Sequence, residues 1–195
     1  MRKLLITGFE AFGGEPTNPS WDAVCRLPDF ICDFSITKLC LPVVFGEAPE
    51  KAIAAAKDLA PDVILCIGQA GGRSAVTPEM VGINLRYANI PDNAGNQPND
   101  EKIVDGGSAA SFSTLPVRKI AENIKSKGIA AQVSYSAGAY VCNDLLYSLL
   151  YHFKESKTQI GFIHVPYSDE QRKENMPSMS LDTIAQALIA AIEAI

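Results

Sequence analysis

Short apolar runs alternate with longer segments of helical period along most of this chain, and few folds tolerate that pattern. Leu4-Leu5-Ile6 is a buried-strand run, and a helix is expected from Pro19 to Leu27 with Asn18 as its cap. Ser35 to Leu41 follows as a strand ended by Pro42, and Gly46 to Leu59 as an alanine-rich helix closed by Pro61. Val63-Ile64-Leu65-Cys66-Ile67 is apolar without a break, as a strand covered on both faces of a parallel sheet must be. A helix from Leu115 to Lys127 stops at Gly128, the residue type a helix C-terminus favours. Gln132 to Ser136 is a strand, Val141 to Phe153 a helix, Ile160 to Val165 a strand, and Leu181 to Ile195 a helix capped by Ser180. The order predicts a three-layer α/β/α fold around a largely parallel, partly mixed central sheet. At 195 residues the chain suits one domain, spanning 1–195.

One stretch departs from the alternation. Residues 68–113 are rich in Gly, Pro, Asn and Asp, and only Val81 to Tyr87 resembles a strand. An irregular insertion of this length in a compact domain is functional or disordered. It is expected to be ordered and to cover a site.

Composition excludes several classes. The net charge of −5 and pI near 5.1 argue against nucleic acid or an anionic membrane as partner, since both require a basic face. No apolar stretch reaches the length of a bilayer span, and the run after Met1-Arg2-Lys3 ends at Gly8, too soon for a signal-peptide core. Five cysteines, an odd number without CxxC spacing, predict free thiols and a reducing cytosol. With only His152 and His164 as histidines, neither a metal site nor a metal cofactor is expected.

In open α/β sheets ligands bind beyond the carboxyl ends of the strands. If the strands are parallel, that edge gathers Gly8-Phe9-Glu10-Ala11-Phe12, Gly68-Gln69-Ala70-Gly71-Gly72, Ala137 through Cys142, and His164-Val165-Pro166. Cys142 differs from the other cysteines. Cys66 lies within a buried strand, where a thiol is ordinarily a small core group, and Cys25, Cys32 and Cys40 sit on or beside regular elements. Cys142 opens a helix, where exposed N–H groups and the helix dipole favour a thiolate. His164 ends a strand aimed at the same edge and is a candidate base, whereas His152 falls among Leu149, Leu150 and Phe153 as a structural residue. A third group should orient the imidazole. Glu79, Asp92, Asp100 and Glu101 all qualify by position, and spacing does not choose among them.

Five segments resemble the pyroglutamyl peptidase type I family of cysteine peptidases. They are Thr7-Gly8-Phe9 through Trp21, Gly68 through Asn84, Ile90 through Pro98, Ser136 through Asn143, and Gly161 through Tyr167, in the family's order along nearly the whole chain. The resemblance implies a Cys–His–Glu triad, which falls on Cys142, His164 and Glu79. It implies hydrolysis of the amide bond after an N-terminal pyroglutamyl residue through a thioester, and frequent assembly into homotetramers. It also implies that Phe9 and Phe12 form the walls of the substrate pocket, with Tyr140 standing where relatives often carry Phe. Gln69 offers a donor and an acceptor for the lactam.

Two positions depart from the family pattern. Asn89 replaces an arginine that lies near the active site in relatives, and Met80, next to Glu79, replaces another. They bear on rate and substrate preference more than on reaction class. The competing readings are an amidase acting on another lactam or amide, and a silent relative that binds N-terminally blocked peptides. A dinucleotide enzyme is discounted, because neither glycine-rich turn spells GxGxxG and no GxxxxGK is present.

Overall fold

A computed structural model describes residues 1–171 and 173–195. Its elements are β1 (Arg2–Phe9), α1 (Pro19–Cys25), β2 (Phe30–Ile31), β3 (Phe34–Leu41), α2 (Glu47–Leu59), β4 (Val63–Gln69), β5 (Thr77–Pro78), β6 (Val81–Ile83) and β7 (Ala110–Phe112). There follow α3 (Val117–Ser126), α4 (Val141–His152), β8 (Gln159–Val165), β9 (Tyr167–Ser168), a 3-10 turn (Asp169–Gln171), β10 (Ser178–Met179) and α5 (Leu181–Glu193). The central sheet has the order β2-β3-β1-β4-β8-β5. Its inner strands β3, β1, β4 and β8 are parallel, and β2 and β5 close the edges antiparallel.

Side-chain alternation assigns the layers. Leu4, Ile6, Val63, Leu65, Ile67, Ile163 and Val165 face α1, α3 and α5, while Leu5, Ile64, Cys66, Ile160 and Phe162 face α2 and α4. This is the three-layer α/β/α arrangement the alternation predicts. The expected caps are present as well: Asn18 Oδ1 accepts from Ser20 N–H, and Ser180 Oγ from Thr183 N–H. Gly128 takes φ +78° just past α3, which a side chain would disfavour.

Gln132 to Ser136 is a correction. The segment lies alongside β5 but joins it only through isolated bridges, Val76 to Ala131 and Glu79 to Ser134. The reason lies in Pro78, whose missing N–H removes the rung that would link them. Because the bridges are parallel to β5 and β5 opposes β8, this segment runs against the inner strands.

Within 68–113, β6 and β7 pair as a small antiparallel ribbon. Much of the remaining backbone is satisfied by the polar side chains that make the stretch look irregular in sequence. Asn84 Oδ1 accepts from Ile103 and Val104 N–H, and Asp92 from Phe45, Ala94 and Asn96 N–H. Asn143, fully buried on α4, receives Ile83 N–H at 2.8 Å and donates to the Ile83 and Leu85 carbonyls. The ribbon is thereby fixed to the start of α4.

The turn after β1 depends on a close approach. A Cβ on Gly8 would lie 2.7 Å from Trp21 Cα and 2.8 Å from Trp21 N, both backbone atoms of α1. Gly8→Ala is therefore expected to lift α1 from the sheet and destabilise the fold by about 1–3 kcal/mol. Urea denaturation checks this; an unchanged midpoint would show that α1 shifts freely.

Candidate active site

The chain passes from β1 to β3 on one side and returns to β4 on the other, so the sheet reverses its order between β1 and β4. At such a point the connections diverge and leave a crevice. Phe9 ends β1 and Gln69 ends β4, and both line a cavity of about 40 Å³ together with Phe12, Asn18, Val43, Tyr140, Val141 and Cys142. Phe9 is buried, whereas Phe12 and Tyr140 are half-buried and stand with ring centroids 6.4 Å apart. Gln69 Oε1 is buried and has no hydrogen-bond partner among the described residues. No charged side chain is among this lining.

Cys142 is the second residue of α4, which packs on the Cys66–Phe162 face. Gly68 makes room for it: a Cβ there would lie 2.8 Å from Cys142 Sγ and 2.7 Å from the Phe162 ring. Gly68 is also the register partner of His164 on β8. The missing side chain thus lets the helix bring its thiol down beside the histidine strand. Asn143 and Asp144 N–H groups already bond the Tyr140 carbonyl, which leaves the N–H groups of Val141 and Cys142 ahead of the helix ladder.

His164 and Glu79 are both buried, and His164 Nδ1 lies 2.7 Å from Glu79 Oε1. With Nδ1 engaged by a carboxylate, that nitrogen carries the proton and Nε2 is left as the acceptor. Glu79 reaches this place because β5 opposes β8, and its own N–H bonds the Phe162 carbonyl at 2.8 Å. Of the four acids that spacing left open, Glu79 is the one whose carboxylate meets His164. Asp92 instead caps a turn of its own loop.

The electrostatics differ from the helix-start expectation of a thiolate. Burial pushes the Cys142 thiol up to about 12, with Glu79 adding to the rise and Arg73 opposing it. Burial also holds His164 below the ordinary imidazole value, although Glu79 pulls the other way. Burial alone would raise Glu79, but its hydrogen bonds with His164 and Arg73 hold it below the usual carboxylate value. These directions favour a neutral thiol and a neutral imidazole beside an ionised carboxylate.

Asn89 stands apart from the cavity. It is exposed, accepts from Tyr87 Oη at 3.0 Å, and its backbone carbonyl is bonded by Gln97 Nε2. It borders a neighbouring groove that shares Phe12 and Tyr140 with the cavity. His152 is exposed at the end of α4 with its ring against Phe153. Sequence reasoning passed over Arg73, which meets Glu79, and Thr77, whose hydroxyl accepts from Arg73. Their nearness in sequence to Glu79 was the available signal.

A half-buried thiol and a buried imidazole–carboxylate pair at the crevice of a doubly covered parallel sheet define a cysteine hydrolase of α/β fold. Comparison with known proteins narrows this. The chain belongs to the pyroglutamyl peptidase family, whose model matches residues 2–195. It is 50% identical over 197 residues to the pyrrolidone-carboxylate peptidase of Thermosipho africanus, covering 99% of this chain and 96% of that one. The crystal structure of pyroglutamyl peptidase I from Bacillus amyloliquefaciens superposes with a TM-score of 0.94 at 47% identity, covering 98% and 95% of the two chains. The pyrrolidone carboxyl peptidase of Thermococcus litoralis gives 0.95 at 35% identity, covering 100% and 93%.

Proposed function

We propose that this protein hydrolyses the amide bond after an N-terminal pyroglutamyl residue, with Cys142 as nucleophile, His164 as base and acid, and Glu79 as the group that orients His164. The observation that carries the substrate assignment is the uncharged cavity beside Cys142. A free amino terminus would enter as an ammonium and needs a carboxylate to meet it. A lactam is neutral. It needs apolar walls, which Phe9, Phe12 and Tyr140 supply, and polar partners such as the Gln69 amide, whose oxygen is free to accept the lactam N–H.

His164 Nε2 takes the Cys142 proton as sulfur bonds to the carbonyl carbon of the pyroglutamyl residue. The Val141 and Cys142 N–H groups are the donors placed for the resulting oxyanion. As the tetrahedral species collapses, the C–N bond breaks and His164 returns the proton to the departing amine. Water then gives its proton to His164 and attacks the thioester, releasing pyroglutamate and the Cys142 thiol. Asn89, on the groove adjoining Phe12 and Tyr140, falls on the side of the departing peptide.

The reading includes one peptidase domain over 1–195 working without a cofactor, cytosolic and assembled as a homotetramer. Five free cysteines support a reducing compartment. No described helix is long and apolar enough to cross a membrane. Exposed apolar side chains such as Phe112, 70% exposed, support self-association.

The test is hydrolysis of pyroglutamyl-aminomethylcoumarin beside its prolyl analogue, by the wild type and Cys142→Ala in reductant. Turnover of the pyroglutamyl substrate alone is expected, with kcat in the variant reduced by about 10⁴-fold or more. Activity that survives in Cys142→Ala rejects the nucleophile, and turnover of both substrates rejects the lactam pocket. Binding without turnover by the wild type would indicate a silent relative.

A further inference from the structure

Arg73 lies in the connection from β4 to β5, six residues before Glu79. Its Nη1 donates to Glu79 Oε1 at 2.6 Å and to Thr77 Oγ1 at 2.5 Å, and its Nη2 to the Ser136 carbonyl at 3.3 Å. The same Oε1 meets His164 Nδ1. Glu79 is fully buried, and its Oε2 meets no donor among the described residues, the neighbouring Ser134 hydroxyl being turned to the Ser136 carbonyl at 3.2 Å. Both strong partners of the carboxylate therefore converge on one oxygen, and only one of them carries a permanent charge.

This concentration has a consequence for the proton inventory. A buried carboxylate left with a neutral imidazole alone is driven toward its protonated form. A protonated carboxyl would donate to Nδ1 and shift the imidazole proton to Nε2, the nitrogen that must accept from Cys142. The charged groups facing His164 are Glu79, from the end of β5, and Arg73, from the loop before it; Cys142 approaches from α4. We propose that Arg73 is a positioning residue for hydrolysis, holding Glu79 ionised so that Nδ1 keeps its proton and Nε2 stays free. The proposal rests on the Cys142–His164–Glu79 reading and adds a fourth member that touches neither substrate nor thiol.

The experiment measures kcat and KM for pyroglutamyl-aminomethylcoumarin from pH 5 to 9 in the wild type, Arg73→Gln and Arg73→Lys, with thermal melts of each. Arg73→Gln is expected to lower kcat about tenfold or more while KM stays within about twofold, because Arg73 lies outside the substrate cavity. The low-pH limb of kcat/KM should move upward by about one pH unit. The sign follows from the charge: without Arg73 both the imidazolium and the protonated carboxyl are favoured, so a higher pH is needed to free the base. Arg73→Lys keeps the charge but not the planar fork, and should recover part of kcat and most of the pH limb.

Wild-type kcat and an unmoved limb in Arg73→Gln would overturn the proposal. So would an equal loss in Gln and Lys variants with an unmoved limb and a lowered melting temperature, which would make Arg73 an anchor for the Ser136 segment only. If Arg73→Gln does not fold, Arg73→Met, which also removes the charge, takes its place. A lowered kcat at wild-type melting temperature then supports the proposal, and wild-type kcat and limb overturn it. Absence of turnover in the wild type overturns the underlying reading, whereas unchanged Arg73 variants of an active enzyme overturn this inference alone.

Discussion

Glu79→Gln is expected to lower kcat by roughly a thousandfold or more. The substitution preserves shape, and the amide oxygen can still accept from both Arg73 and His164, so the imidazole keeps its place. What disappears is the negative charge. In the proposed mechanism His164 takes the Cys142 proton, and an imidazolium forms in a buried site that also holds the Arg73 guanidinium nearby. In the wild type the Glu79 carboxylate offsets that pair of positive charges; in the variant nothing does, and the low dielectric magnifies the penalty. KM should change little, because Glu79 does not line the proposed lactam cavity. Steady-state kinetics with pyroglutamyl-aminomethylcoumarin makes the measurement. A kcat within tenfold of wild type would mean that no imidazolium accumulates charge against Glu79, and the acid–base role of His164 would have to be abandoned.

How far this arrangement was legible in the sequence depends on the length scale. The parallel core was legible because its strands are buried on both faces, so Val63 to Ile67 shows an unbroken apolar run that few other elements produce. The caps at Asn18 and Ser180 were legible for a similar reason, since each is set by contacts within three residues. The strand at Gln132 to Ser136 was misjudged because its pairing depends on Pro78, more than fifty residues away. Among the site residues, Cys142 and His164 could be singled out by position at element ends. Glu79 was chosen by family resemblance alone, since its selection depends on β5 opposing β8 across a long irregular segment. The state of the thiol was not legible either. Helix position argues for a thiolate, but burial outweighs it, and burial is a property of the packed fold.

A second large effect is expected at the start of the same helix, away from the chemistry. Asp144 is fully buried two residues beyond Cys142, and its Oδ1 accepts from Arg86 Nε at 2.9 Å while its Oδ2 accepts from Gly46 N–H at 2.8 Å. These bonds tie α4 to the entry of α2 on one side and to the loop after β6 on the other. Burial raises the Asp144 pKa, against the Gly46 N–H and the Arg86 charge. Arg86→Met leaves the carboxylate buried with one backbone donor and is expected to destabilise the protein by about 2–4 kcal/mol near pH 8. The pH dependence has a definite sign. A carboxyl whose folded pKa is raised binds protons in the folded state before it does so when unfolded, so its burden on stability is greatest above that pKa and fades below it. The deficit of Arg86→Met should therefore shrink as pH falls toward 5, and Arg86→Met/Asp144→Asn should recover most of it at pH 8. Urea denaturation of the single and double variants at both pH values decides the matter. A deficit that is independent of pH and survives in the double variant would show that Arg86 acts by packing its side chain, not by neutralising Asp144.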